Sequence, residues 1–153
     1  MIDVPLEVIE NQHLITSLEI PMQKAKLLKL ADFLDKLPRK KFNMDSFVIK
    51  HGNTPDKISL KCQAVACAFG WCTVVFPKSG LKLKKIYPIN EYHDITYEYD
   101  IKYKNHTNFH AAAKFFNIDL TESEILFMPD DNPKLNTPKQ VAKRIRRFVK
   151  NKE

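Results

Sequence analysis

Residues 96–104 read Thr96-Tyr97-Glu98-Tyr99-Asp100-Ile101-Lys102-Tyr103-Lys104, alternating apolar and charged side chains without a break. Tyr97, Tyr99, Ile101 and Tyr103 fall on one side, and Glu98, Asp100, Lys102 and Lys104 on the other. A period of two over this length predicts a half-buried strand. Leu81, Leu83 and Ile86 supply an antiparallel partner across a loop containing Pro88. A two-stranded hairpin is marginal in water, so its apolar side needs helices to rest on.

Helical periods surround this insertion. A helix is predicted from Pro21 to Leu37, proline suiting the first turn, with Leu27, Leu30, Ala31, Leu34 and Leu37 as one apolar stripe. Phe42, Met44 and Phe47 anchor a connector before a loop at His51–Pro55. From Cys62 to Phe76 the residues are apolar on every side, which predicts a central helix through Trp71, buried all round. Pro77 and Gly80 then break the chain. Downstream, Asn108 is a cap for a helix carrying Ala111, Ala112, Phe115 and Phe116, and Thr121 with Glu124 reads as a capping box. Thr137-Pro138-Lys139-Gln140 opens the last helix, with Val141, Ala142, Ile145, Phe148 and Val149 inward. The expected class is mostly α, at the helical end of α+β. It is a single helical domain over 21–153, built around a buried central helix, with a small hairpin inserted near 81–104. Residues 1–20, bracketed by Pro5 and Pro21, form an N-terminal arm or strand.

At 153 residues, 44% hydrophobic and 28% charged, the chain can bury one core without staples. The apolar run from Ala64 to Pro77 is too short to span a bilayer. Residues 1–5 lack the basic and apolar regions of a signal peptide, which predicts a cytoplasmic protein with reduced thiols and no membrane partner. The net charge of +7 is concentrated: residues 139–153 hold seven basic groups against Glu153, whereas the preceding 138 residues hold 18 basic and 17 acidic groups. An acidic stretch lies between Asp119 and Asp131, against which the basic tail can fold back. The sharper reading is a stripe of Lys143, Arg146, Arg147 and Lys150 that meets nucleic acid.

No catalytic set stands out. Cys62, Cys67 and Cys72 recur every five residues, which on a helix turns each thiol about 140° from the last and precludes a shared metal. The flanks of Cys67 are apolar, which predicts a packed, inert thiol. His106 and His110 have the spacing of a helical ligand pair, with His93 a conceivable third ligand, but Thr107 stands where the metalloprotease pattern needs glutamate. If Asn108 caps the helix, His106 lies outside it and the pair need not converge. The stretch from Ala111 to Ile125 has the outline of a helix-turn-helix, but its second helix is acidic and its turn reads as too long. No cofactor or metal is expected, and Trp71, Tyr97, His106 and His110 join the basic stripe as candidate ligand or partner contacts.

Several landmarks together carry a resemblance. Phe42-x-Met44-x-x-Phe47, Cys62-x-x-x-Ala66-Cys67-Ala68-x-Gly70-Trp71, Ala112-Ala113-x-Phe115-Phe116-x-Ile118 and Glu124-x-x-Phe127-x-Pro129 stand in order along the chain, followed by Thr137-Pro138-x-x-Val141-Ala142. They resemble an uncharacterised family of small phage and prophage proteins with the signature FxMxxW … CGTxACxAGWA … AAxxFGL … ExxxLFxP. The chain departs from it at Phe47 for Trp, Gln63-Ala64 for Gly-Thr and Asn117 for Gly. The resemblance implies no catalytic residue. It implies a non-enzymatic accessory protein that binds and blocks or sequesters a host factor in the host cytoplasm, a protein or a small signalling nucleotide, with counter-defence as one such role. The alternative is a nucleic-acid or nucleotide binder using the basic C-terminal helix.

Overall fold

The alternating segment is a strand over Thr96–Tyr103 in the computed structural model, which describes residues 21–51, 58–59, 64–88 and 96–153. In chain order the elements are helix α1 (Lys24–Lys36), strands β1 (Val48–His51) and β2 (Ala64–Ala66), helix α2 (Ala68–Val75), strands β3 (Leu81–Pro88), β4 (Thr96–Tyr103) and β5 (His106–Thr107), and helices α3 (Asn108–Phe116), α4 (Leu120–Phe127) and α5 (Pro138–Lys152). The arm expected over 1–20, most of the His51–Pro55 loop, Cys62 and His93 lie outside the described residues.

The class is α+β, and β3 and β4 form the expected antiparallel hairpin, with Leu83 opposite Ile101 and Leu81 opposite Tyr103. The sheet is larger than a hairpin. Its order is β2-β1-β4-β3, and β5 pairs with the end of β4. Val48 of β1 sits between Tyr99 of β4 and Ala66 of β2, so all three share the face that packs on the helices.

This corrects the expected central helix. The apolar stretch starts as strand β2, passes through extended Cys67, and becomes helical at Ala68, running on through Val75. An apolar run buried on all sides hides its own period, so strand and helix look alike in it. Ala68 to Cys72 are buried, and the β-branched Thr73 and Val74 are within α2 rather than past its end. The turn from β2 into α2 is tight. Cys67 donates its backbone N–H to the Phe47 carbonyl (3.1 Å), and its Sγ accepts from the Gly70 N–H at 3.4 Å, acting as a weak N-cap.

The helices cover one face of the sheet. Phe69 of α2 lies 5.8 Å from Phe127 and 6.3 Å from Phe116, whose ring stacks on Phe127 at 5.6 Å. Leu27, Leu30, Ala31 and Leu34 of α1 are fully buried, and α5 packs along α1 through Val141, Ala142 and Ile145. Three helix starts differ from expectation. α1 opens at Lys24 rather than Pro21: Gln23 is its N-cap, with non-helical backbone (φ −81°, ψ 70°), and donates its N–H to the Phe116 carbonyl at 2.7 Å. Asn108 is not a side-chain cap: with φ at 55° it turns back to β4, accepting from Ile101 N–H (3.0 Å) and donating to Asp100 Oδ1 (2.9 Å). The capping box of α4 is Asp119 with Glu122, two residues before Thr121 and Glu124. The Thr137 cap of α5 is as expected, Oγ1 accepting from Gln140 N–H at 3.3 Å.

Candidate docking groove and the residues around it

α4 is eight residues long, and its last three residues, Ile125 to Phe127, together with the Met128 that follows, make four consecutive apolar side chains. A helix with one buried stripe cannot turn four neighbours inward. Leu126 and Phe127 enter the core, leaving Ile125 58% and Met128 43% exposed. After α4 the chain passes through a 3-10 turn at Pro133–Leu135, which adds Leu135 at 38% exposure, and then enters α5. These three side chains line a groove of about 550 Å³ whose opposite wall is the outer face of α5, carrying Gln140, Lys143 and Arg147.

Arg144 holds the groove together. Its guanidinium donates to the carbonyls of Leu126 (3.3 Å), Met128 (3.2 Å) and Leu135 (3.2 Å). It thereby satisfies carbonyls at the C-terminal end of α4, where a cation is favoured. Burial lowers its pKa from arginine's ordinary value, with the nearby Asp130 opposing that shift. Lys143 and Arg147 are exposed and meet no carboxylate within ion-pair distance among the described residues. The groove therefore has an apolar side and a basic wall whose Lys143 and Arg147 make no ion pair among the described residues, and Glu124 and Asp130 also line it.

The other basic residues of α5 divide. Arg146 bonds Asp32 (2.8 Å) and Asp35 (2.5 Å) of α1, and those bonds raise its pKa above arginine's ordinary value. Lys152 pairs with Glu122, so the tail does fold against the acidic stretch there. Arg144, Arg146 and Lys152 being engaged internally, the stripe open to a polyanion reduces to Lys139, Lys143, Arg147 and Lys150.

The remaining candidates scatter. Trp71 is fully buried, its Nε1 donating to the Lys41 carbonyl at 2.9 Å, so it is a core residue and no ligand contact. Tyr97 lies half-buried on the sheet under the Lys85 ammonium, 4.3 Å from the ring centre. His106 belongs to β5 and His110 to α3, yet both line one shallow cavity beside Lys114, Asp119 and Glu122. Among the described residues no group of three or more His, Cys, Asp or Glu is arranged to hold a metal ion. Cys67 and Cys72 are buried, and burial pushes Cys67 up to about 11 and Cys72 well above the usual thiol value. Neither is a thiolate near neutral pH. The α3–α4 connection spans only Asn117-Ile118-Asp119, so the length objection to a helix-turn-helix falls. The charge objection stands, because Glu122 and Glu124 lie on the second helix.

Sequence reasoning missed Ile125, Met128 and Leu135. The four-residue apolar run Ile125–Met128 at the end of α4 and just past it is the available signal. No helix among the described residues is long and apolar enough to cross a membrane. Comparison with family models, with curated proteins and with solved structures gives no match. The function must therefore be read from the chemistry of the site.

Proposed function

We propose that this is a non-enzymatic binding protein whose groove between α4 and α5 receives an apolar, acidic segment of a partner protein. The observation that carries the reading is the clustering of exposed Ile125, Met128 and Leu135 beside Lys143 and Arg147, which have no carboxylate partner among the described residues. Neighbouring exposed apolar side chains mark interaction sites more often than single ones do. An apolar anchor seated in a pocket, with charge at the rim setting orientation and selectivity, is the usual economy of such an interface. The motif resemblance to small phage and prophage proteins fits a host protein as that partner. It also fits a role in blocking or sequestering a host factor.

The test is selection from a peptide library in which apolar content is fixed and charge varies. The wild-type protein is expected to enrich apolar–acidic peptides. Ile125→Asp is expected to abolish binding, and the Lys143→Glu/Arg147→Glu double variant to shift selection toward basic peptides. Selection that ignores charge, or binding indifferent to Ile125→Asp, would sink the reading.

A further inference from the structure

The unneutralised positive charge of this protein is not confined to α5. On the solvent face of the β3–β4 hairpin, Lys84 lies opposite Asp100, a complementary pair. Two residues along, Lys82 lies directly opposite Lys102. Like charges in register oppose strand pairing, and nothing in the hydrophobic pattern requires them there. Lys104 follows at the turn into β5, and with Lys82 and Lys102 it rings a cavity of about 340 Å³ floored by Ser79, Gly80 and Tyr103. No acidic side chain among the described residues lines it.

The charge continues onto the helices. The rings of Tyr103, Phe115 and Phe76 form a row, 5.2 Å and 5.3 Å between centres. Each carries an ammonium: Lys104 lies 5.3 Å from Tyr103, Lys26 lies 4.3 Å from Phe115, and Lys29 lies 5.4 Å from Phe76. None of these five lysines meets a carboxylate within ion-pair distance among the described residues. A second, independent feature points the same way. Lys104 holds the left-handed backbone conformation, φ 54°, where a tight turn ordinarily uses Asn or Gly. Its backbone strain is retained at the position that brings its ammonium over Tyr103 and to the cavity rim.

We propose that this lysine-lined surface, from the end of the β3–β4 hairpin to the exposed side of α1, binds the phosphodiester backbone of a nucleic acid. Ammonium groups are compact charges suited to phosphate oxygens, and a row of them suits a ligand with repeated charge. An acidic protein partner is disfavoured because, among the described residues, none of the large exposed apolar side chains that would anchor one lines the lysine-ringed cavity. The rings are buried or covered by lysines, with Phe115 2% exposed, so bases have no platform to stack on and binding is insensitive to sequence. This inference is independent of the α4–α5 groove.

The experiment titrates a short, fluorescein-labelled, mixed-sequence oligonucleotide with the full chain between about 50 mM and about 200 mM salt. Wild-type binding is expected to fall steeply with salt. The Lys82→Gln/Lys102→Gln/Lys104→Gln variant should bind about ten- to a hundredfold more weakly, with the log–log salt slope reduced by about 2. Lys139→Gln/Lys150→Gln, on α5 but outside its groove, should leave affinity and slope unchanged. Lys104→Gly should raise the melting temperature by about 2–4 °C while weakening binding, which separates the charge from the fold. The proposal is overturned if wild-type protein does not bind at low salt, or if the α5 variant loses binding as the hairpin variant should. It is equally overturned if inorganic pyrophosphate at matched phosphate concentration displaces the oligonucleotide, which would mark a site for a compact anion.

Discussion

A Cβ at position 70 would lie 2.1 Å from the Phe47 carbonyl oxygen, 2.8 Å from Ala66 Cβ and 3.0 Å from Val48 Cγ2. Gly70 is thus where α2 presses against the backbone leading into β1. Two effects of opposite sign compete at a Gly70→Ala substitution. Alanine favours a helix over glycine by about 1 kcal/mol, but overpacking against rigid backbone costs about 3 kcal/mol. A net loss of about 2 kcal/mol is expected in urea unfolding, and an unchanged or raised midpoint would show that α2 can lift away from β1 at no cost. Trp71, the next residue, is a candidate ligand contact by sequence and a core residue in the fold, because the carbonyl that takes its Nε1 proton belongs to Lys41, thirty residues earlier. Pairings of that range leave no trace in local pattern. The inert character of Cys67, by contrast, was legible from its neighbours alone.

Among the elements, those with many turns or a faultless period were legible, and the short ones were not. β4 declares itself over eight residues, whereas β2 has three, all apolar, and β1 has four. α4 was recognised with its start misplaced, because Asp119 to Glu124 offers two overlapping frames for a capping box. The earlier frame wins because α3 ends early. Asn117 adopts φ 53°, and the following Ile118 N–H returns to the Ala113 carbonyl at 3.0 Å, which brings Asp119 into position. Asp119→Ala is therefore expected to cost about 1 kcal/mol, since Asp119 Oδ1 accepts from Glu122 N–H at 2.7 Å. Thr121→Ala, inside the helix, should change stability by less than about 0.5 kcal/mol. Equal losses in thermal melts of the two variants would contradict this frame.

For the whole molecule, the core carries a dependence on alkaline pH. Below about pH 8 both thiols are essentially protonated in folded and unfolded chains alike, so they contribute no slope. Above about pH 9 the unfolded chain releases protons that burial makes Cys67 retain until about 11. Stability should fall there by about 1.4 kcal/mol per pH unit from this residue, with Cys72 adding in the same direction. Urea titrations at about pH 8 and about pH 10 measure the loss, and Cys67→Ala/Cys72→Ala should flatten it. A wild-type curve level across that interval would refute the sealed core. The sheet that roofs this core has β3 as an outermost described strand, eight residues long, bearing Lys82, Lys84 and Lys85 and interrupted by a bulge between Lys85 and Tyr87. A long outer strand is a template on which another chain can add itself, the first step toward fibrils. Cationic side chains and a kinked backbone are the ordinary defences against that. The charges of β3 thus also help keep copies of this protein apart in a crowded solution.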